Sequence, residues 1–151
     1  MRGSAWAGAL MLGTALTLSG CGTSSGDGVD GPKVVTASDG TTLLVAAPTD
    51  AGMSAELTGR LAVLAGGCLG VTGYGQETVV IWPSGTGLAS GGNGITINGH
   101  VIEVGDLLSV GGGFVPTSVA TTTPAPPPEC HADGVWVAGP GSVELTSGSR
   151  N

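Results

Sequence analysis

The sequence predicts a small all-β domain, a barrel or sandwich of five or six short strands, set behind a signal peptide and a flexible tether. Three observations predict it. Short apolar or alternating runs rich in Val, Ile, Leu and Thr recur between residues 55 and 138, the composition of strands. Sixteen glycines fall between residues 55 and 115, mostly between those runs, where they read as turns and bends. Beyond the first twenty residues, no eleven-residue window carries an unambiguous helical stripe. The chain holds 30 Gly and 9 Pro in 151 residues, a level at which disorder is a live reading. Yet 40% of its residues are hydrophobic and only 10% are charged, and disorder pairs low hydrophobicity with high charge.

Residues 1–20 read as a secretory signal. Arg2 is a short positive start, and residues 5–18 are an uncharged apolar stretch of 14 residues. That is signal length, well short of the ~20 residues that span a bilayer. Leu18-Ser19-Gly20-Cys21 follows. This box resembles the bacterial lipobox, Leu-[Ala/Ser]-[Gly/Ala]-Cys. The resemblance implies cleavage between Gly20 and Cys21. It also implies a diacylglycerol thioether on Cys21, carrying acyl chains such as palmitate, and a lipid anchor on the extracytoplasmic face of the cell membrane. Two rivals are an ordinary secreted protein in which Cys21 is incidental, and an uncleaved anchor. Two acyl chains, at about 0.8 kcal/mol per buried methylene, would hold the protein without basic residues.

Residues 21–33 then form the acylated cysteine and a small, polar, glycine-rich linker. Gly22-Thr23-Ser24-Ser25-Gly26 matches the Gly-x-Ser-x-Gly nucleophile elbow in letters only. That elbow needs a strand before it and a helix after it. Residues 34–54 are an N-terminal arm or a short hairpin: Val34-Val35 and Leu43-Leu44-Val45 flank the turn pair Asp39-Gly40.

The β-domain proper is expected over residues 55–146. Leu57, Leu61 and Val63 alternate, with Gly59 on the same face as a bend. A helix over 51–64 would align Met53, Leu57, Leu61 and Leu64, but Gly59 and the β-rich continuation favour a strand. Residues 78–82 (TVVIW) form a strand stopped by Pro83, and residues 83–94 form a flexible loop. Asn98-Gly99 joins two alternating runs, the strongest short hairpin signal. Residues 107–110 give another strand, closed by Gly111-Gly112-Gly113. A Pro-rich loop covers 116–128. Val135-Trp136-Val137 is a central strand, residues 143–145 a short edge, and 147–151 a disordered tail.

A long bent first strand, an Asn-Gly hairpin and a Gly-Asp-x-x-x-Val-Gly-Gly-Gly ending resemble an OB-type five-stranded Greek-key barrel. This likeness concerns fold alone. Gly67-Cys68-Leu69-Gly70, Val80-Ile81-Trp82-Pro83 and Val104-Gly105-Asp106 also resemble segments of small uncharacterised actinobacterial lipoproteins. That resemblance implies a location and no activity.

With Cys21 taken by lipid, Cys68 and Cys130 remain in a disulfide-permissive compartment. A bridge between them would pin the Pro-rich segment and the last strand to the barrel. The rival is two free thiols serving as metal ligands or a redox pair. Their 62-residue separation is nothing like Cys-x-x-Cys.

Four basic residues face eleven acidic ones, a net charge of −7. Such a chain has no phosphate-neutralising patch for nucleic acid and no cluster for anionic lipid headgroups. The best polar group is Glu129-Cys130-His131-Ala132-Asp133. A metal or hydrolase site there would recruit His100 or Asp106. Two histidines without ligand spacing point instead to solvated turn residues. Asp106 after Gly105 reads as a turn residue bonding its own backbone. Trp82 and Trp136 read as core fillers, with an exposed ligand platform as the rival.

The expectation is therefore a membrane-anchored lipoprotein whose non-catalytic β-domain binds a cell-envelope or protein partner. It requires no cofactor. The alternative is an envelope hydrolase or metal-binding lipoprotein working around His131.

Overall fold

A computed structural model describes residues 31–116, 122–130 and 134–146. In chain order the strands are β1 (Lys33–Thr36), β2 (Thr42–Val45), β3 (Ala55–Val63), β4 (Leu69–Gly73), β5 (Gln76–Trp82), β6 (Gly87–Leu88), β7 (Gly94–Ile97), β8 (His100–Glu103), β9 (Leu107–Pro116) and β10 (Gly134–Leu145). Among the described residues the only helical turns are two 3-10 turns, Ser90–Gly92 and Pro128–Cys130. None is long and apolar enough to cross a membrane.

Five strands close a barrel. The order β5-β10-β9-β3-β4 returns to β5 through the β4–β5 pairing. All neighbours are antiparallel except β5 and β10, which run parallel. Numbered within the barrel, the order is 1-2-3-5-4-1. This is the OB-like Greek-key connectivity that the order of turns resembled. Alternation along each strand fills the inside: Leu61, Leu69, Val71, Val80, Trp82, Leu108, Val110 and Trp136 form one buried cluster. Each such side chain contributes roughly 1.5–3 kcal/mol by leaving water.

The Asn98-Gly99 hairpin is present. Ile97 pairs with His100, and the two turn residues take φ of 51° and 77°, the conformation that a two-residue turn of this hand demands. Its place differs from the expectation. Instead of joining the barrel, β7 and β8 form a separate three-stranded sheet with β6. The segment 83–94, expected as a loop, supplies β6 and a 3-10 turn. Ile95, Ile97 and Ile102 lie on one face of this sheet and pack into the barrel cluster. Three isoleucines on one face have to be buried, and the barrel core is where they go.

Gly111-Gly112-Gly113 is not a turn. β9 runs through it to Pro116, and β10 runs unbroken from Gly134 to Leu145 with a register shift between Ala138 and Val143. Steric crowding explains the glycines. A Cβ on Gly112, at φ 155°, would collide with the Val137 carbonyl oxygen and lie 2.8 Å from Trp136 Nε1. A Cβ on Gly111 would lie 2.8 Å from Ser142 Cβ.

Residues 33–45 form a hairpin rather than an extended arm, with Lys33 opposite Val45. Asp39 Oδ1 accepts the Thr41 amide at 2.9 Å across its turn. That backbone bond first, and the Thr41 hydroxyl second, hold its carboxyl below the ordinary 3.8. β2 lies parallel to β5, with Leu44 beside Ile81. All four β2 residues are buried.

Candidate functional site

The two cysteines form a disulfide, with Cα atoms 5.5 Å apart and both residues 1% exposed. Cys68 leads into β4, and Cys130 ends the turn before β10. Thr42 bridges to Cys68, and the Leu64 amide donates to the Cys68 carbonyl oxygen at 2.8 Å. Around the sulfurs a second buried cluster gathers Leu44, Leu64, Val79, Ile81 and Val135. Val79 and Ile81 alternate with Val80 and Trp82, so this cluster covers the outer face of β5.

Cys21, His131 and Asp133 lie outside the described residues, as does the tail at 147–151. His100 opens β8, whereas Asp106 follows the far end of that strand. Asp106 Oδ2 accepts the Glu103 amide at 2.9 Å, and the Asp106 amide donates to the Glu103 carbonyl oxygen. Its carboxylate thus holds a turn, as its sequence context suggests. Among the described residues no three His, Cys, Asp or Glu side chains group as metal ligands.

Both candidate platform tryptophans are internal. Trp82 is fully buried, and its Nε1 donates to the Leu69 carbonyl oxygen at 3.4 Å. Trp136 is 7% exposed. Thr86, beside the glycine-rich segment, donates its hydroxyl to the Pro83 carbonyl oxygen at 2.8 Å. That bond closes a turn.

The arrangement with the most chemistry comes from residues that no motif marks. A cleft of about 510 Å³ runs over the outer surface of β9, between the start of β3 and the end of β10. Ser109 and Gly111 form its floor, and Met53, Glu56, Ser142, Glu144 and Leu145 are among its walls. Pairing explains the convergence. Thr58 and Glu144 both stand opposite Ser109, and Glu56 stands opposite Gly111.

Ser109 Oγ donates to Glu56 Oε1 at 2.6 Å, and Thr58 Oγ1 adds a bond at 3.3 Å. Ser142 Oγ donates to the Gly111 carbonyl oxygen at 2.8 Å. Both serine hydroxyls are spent as donors that fix the cleft's own walls. What remains is a shallow, acidic, partly apolar surface. Residues from three strands, more than thirty positions apart from one strand to the next, carry no local signal of this site. Only the strand register reveals it.

Two smaller clefts flank other parts of the sheet. One of about 290 Å³ lies beside the disulfide, lined by Thr36, Thr42, Gly66 and Glu129. The other, of about 370 Å³, lies along the Tyr74-Gly75 turn. Comparison with family models, curated proteins and solved structures finds no match to this chain.

Proposed function

We propose that this protein is a lipid-anchored, extracytoplasmic binding module that acts without catalysis on a cell-envelope or protein partner. The observation that carries the reading is the sequence Leu18-Ser19-Gly20-Cys21 placed directly after a 14-residue apolar stretch. Acylation of Cys21 would fix the chain to the membrane, and the glycine-rich linker would hold the domain off the headgroups.

A binding role is supported by how the polar groups are used. Ser109 and Ser142 donate within the walls of their own cleft, and Asp106 and Thr86 hold turns. The net charge of −7 favours partners that are not themselves strongly acidic.

Cys21→Ser tests the anchor. It is expected to move the protein from the membrane fraction to the soluble fraction and to abolish incorporation of labelled palmitate. Retention in the membrane with unchanged labelling sinks the lipoprotein reading. Crosslinking on intact cells with mass spectrometry tests the partner. A reproducible crosslinked partner is expected, and a protein recovered only as itself argues against a binding module.

A further inference from the structure

Deepening the binding-module reading, on which it rests, we propose that the β4–β5 turn binds a neutral pyranose unit of a cell-envelope glycan, with Tyr74 as the stacking ring. The first observation is an internal comparison. Two-residue turns close both the β4–β5 and the β7–β8 hairpins, where Gly73 pairs with Gln76 and Ile97 with His100. The backbones match: Tyr74 and Asn98 both take φ of 51°, and Gly75 and Gly99 both take φ of 77°. Asn-Gly is the pair that such a turn favours, whereas a bulky residue at positive φ is strained. Tyr74 is also 99% exposed, so its ring packs against nothing in the domain. The fold gains nothing from a tyrosine at this place and loses backbone ease by it. A ring held out in water on a two-residue hairpin tip is accounted for by a ligand outside the domain.

The second observation is the cleft beside the turn. It measures about 370 Å³ and is lined by Thr72, Gly73, Gly75, Gln76 and Glu77, within the range of small-ligand sites, about 300–1,000 Å³. The lining offers a hydroxyl, a primary amide, a carboxylate and glycine backbone, a mixture of donors and acceptors. An apolar side chain of a peptide, or an acyl chain, finds no partner there. No lysine or arginine lines the cleft. Glu77 and the net charge of −7 repel phosphates, whether of nucleic acid or of lipid headgroups. A pyranose answers both observations. Its C–H face carries partial positive charge toward the negative face of the aromatic ring, and its hydroxyls donate and accept at the polar rim.

The chain has one tyrosine, so labelling tyrosine rings gives a single reporter. The test is an NMR titration of the full chain in zwitterionic nanodiscs, labelled at that ring and at the backbone amides. The probes are the neutral tetrasaccharides maltotetraose, chitotetraose, α-mannotetraose and β-galactotetraose, each taken to about 10 mM so that millimolar binding registers. At least one is expected to give saturable shifts of the Tyr74 ring and of the Thr72, Gly75 and Gln76 amides. Tyr74→Phe should keep that binding. Tyr74→Asn should weaken it by about tenfold or more, the order that one lost stacking ring costs. Because asparagine suits this turn, Tyr74→Asn should leave the melting temperature unchanged or raised.

Absence of saturable shifts with all of these sugars overturns the proposal, and so does equal binding by Tyr74→Asn. A melting temperature lowered by Tyr74→Asn assigns the ring to the fold and overturns it as well. So does a Tyr74 ring that responds only to the peptide acetyl-Ala-Arg-Ala-amide, the mark of a protein ligand, or one broadened by spin-labelled lipid in the nanodisc, the mark of a membrane contact. A failed titration, with Cys21→Ser still released from the membrane and intact cells still yielding a crosslinked partner, strikes this site and leaves the binding-module reading standing. Cys21→Ser protein retained in the membrane strikes the anchor instead, whatever the titration gives.

Discussion

Breaking the Cys68–Cys130 bridge should cost this domain a large share of its stability, and the size follows from the chain between the two residues. The bridge closes a 62-residue separation. In the chain-entropy treatment such a loop gives roughly 4 kcal/mol at 25 °C, against a total of about 5–15 kcal/mol for ordinary domains. The loop contains β4 to β9, so most of the barrel and the whole inserted sheet lie inside it. Urea unfolding of three forms separates the contributions: oxidised wild type, reduced wild type, and Cys68→Ala/Cys130→Ala. Reduction leaves both sulfurs in their buried cluster and removes only the crosslink. It should lower the midpoint by about 2 M urea for slopes of 1–3 kcal/mol/M. The alanine pair should fall further, because two residues that are each 1% exposed lose their packed sulfur atoms. The reduced form should also show a steeper slope, since its unfolded chain is more expanded. A reduced protein that unfolds within about 1 kcal/mol of the oxidised one would refute the entropic argument. The stability would then reside in the two clusters alone.

Two further predictions concern single residues. Gly112→Ala should destabilise by at least 2 kcal/mol in the same assay, because its Cβ would overlap the Val137 carbonyl oxygen and crowd Trp136 Nε1; a neutral Gly112→Ala would mean that β9 and β10 are farther apart than described. Asp39, bonded to Thr41, has its folded pKa lowered below 3.8. Its contribution is therefore present above pH 3.8 and lost as pH falls through the lower folded value, so Asp39→Asn should reduce stability at pH 6 more than at pH 2, and an equal effect at both values contradicts the assignment.

The barrel strands were legible because their alternation is strong. Leu57 and Leu61 point inward together, as do Val80 and Trp82, and turn residues such as Asn98-Gly99 admit few conformations. The glycine triplet was misleading for a physical reason. Glycine signals either a turn or a close approach, and the sequence does not distinguish a chain that bends from one that another strand presses against. The Tyr74-Gly75 turn was silent because tyrosine rarely takes the positive φ of 51° that it adopts there. The separate β6–β7–β8 sheet was equally hidden. Ile95, Ile97 and Ile102 announce a buried face, but their pattern does not say whether the sheet joins the barrel or packs on its core. The cleft was invisible for the most general reason: Glu56, Ser109 and Glu144 meet only through register across three strands.

The position of the disulfide also bears on where this barrel can bind anything. OB-type barrels commonly take ligands on the outer face of their second and third strands, between the loop joining strands one and two and the loop joining strands four and five. Here those strands are β4 and β5. The first of those loops is the β3–β4 connection, and the second lies between β9 and β10. Cys68 closes the first and Cys130 lies in the second, so the bridge ties the two loops together. Beneath it, Val79 and Ile81 on β5 are buried against Leu44 of β2 and Leu64. Residues that would form the floor of a ligand groove are thus spent on internal packing, and none of them is aromatic. Base or sugar stacking needs exposed aromatic rings; both tryptophans of the described residues point into the core, and the exposed Tyr74 stands at the tip of the β4–β5 turn rather than on the strands. Clefts stay open elsewhere on the outer sheet: one at the β4–β5 turn, away from the bridge, and one over β9, where the glycines keep the surface low and the carboxylates of β3 and β10 flank it. The strap that stabilises the barrel therefore closes the face that OB-type barrels commonly use, so likeness of fold does not carry that binding face over to this chain.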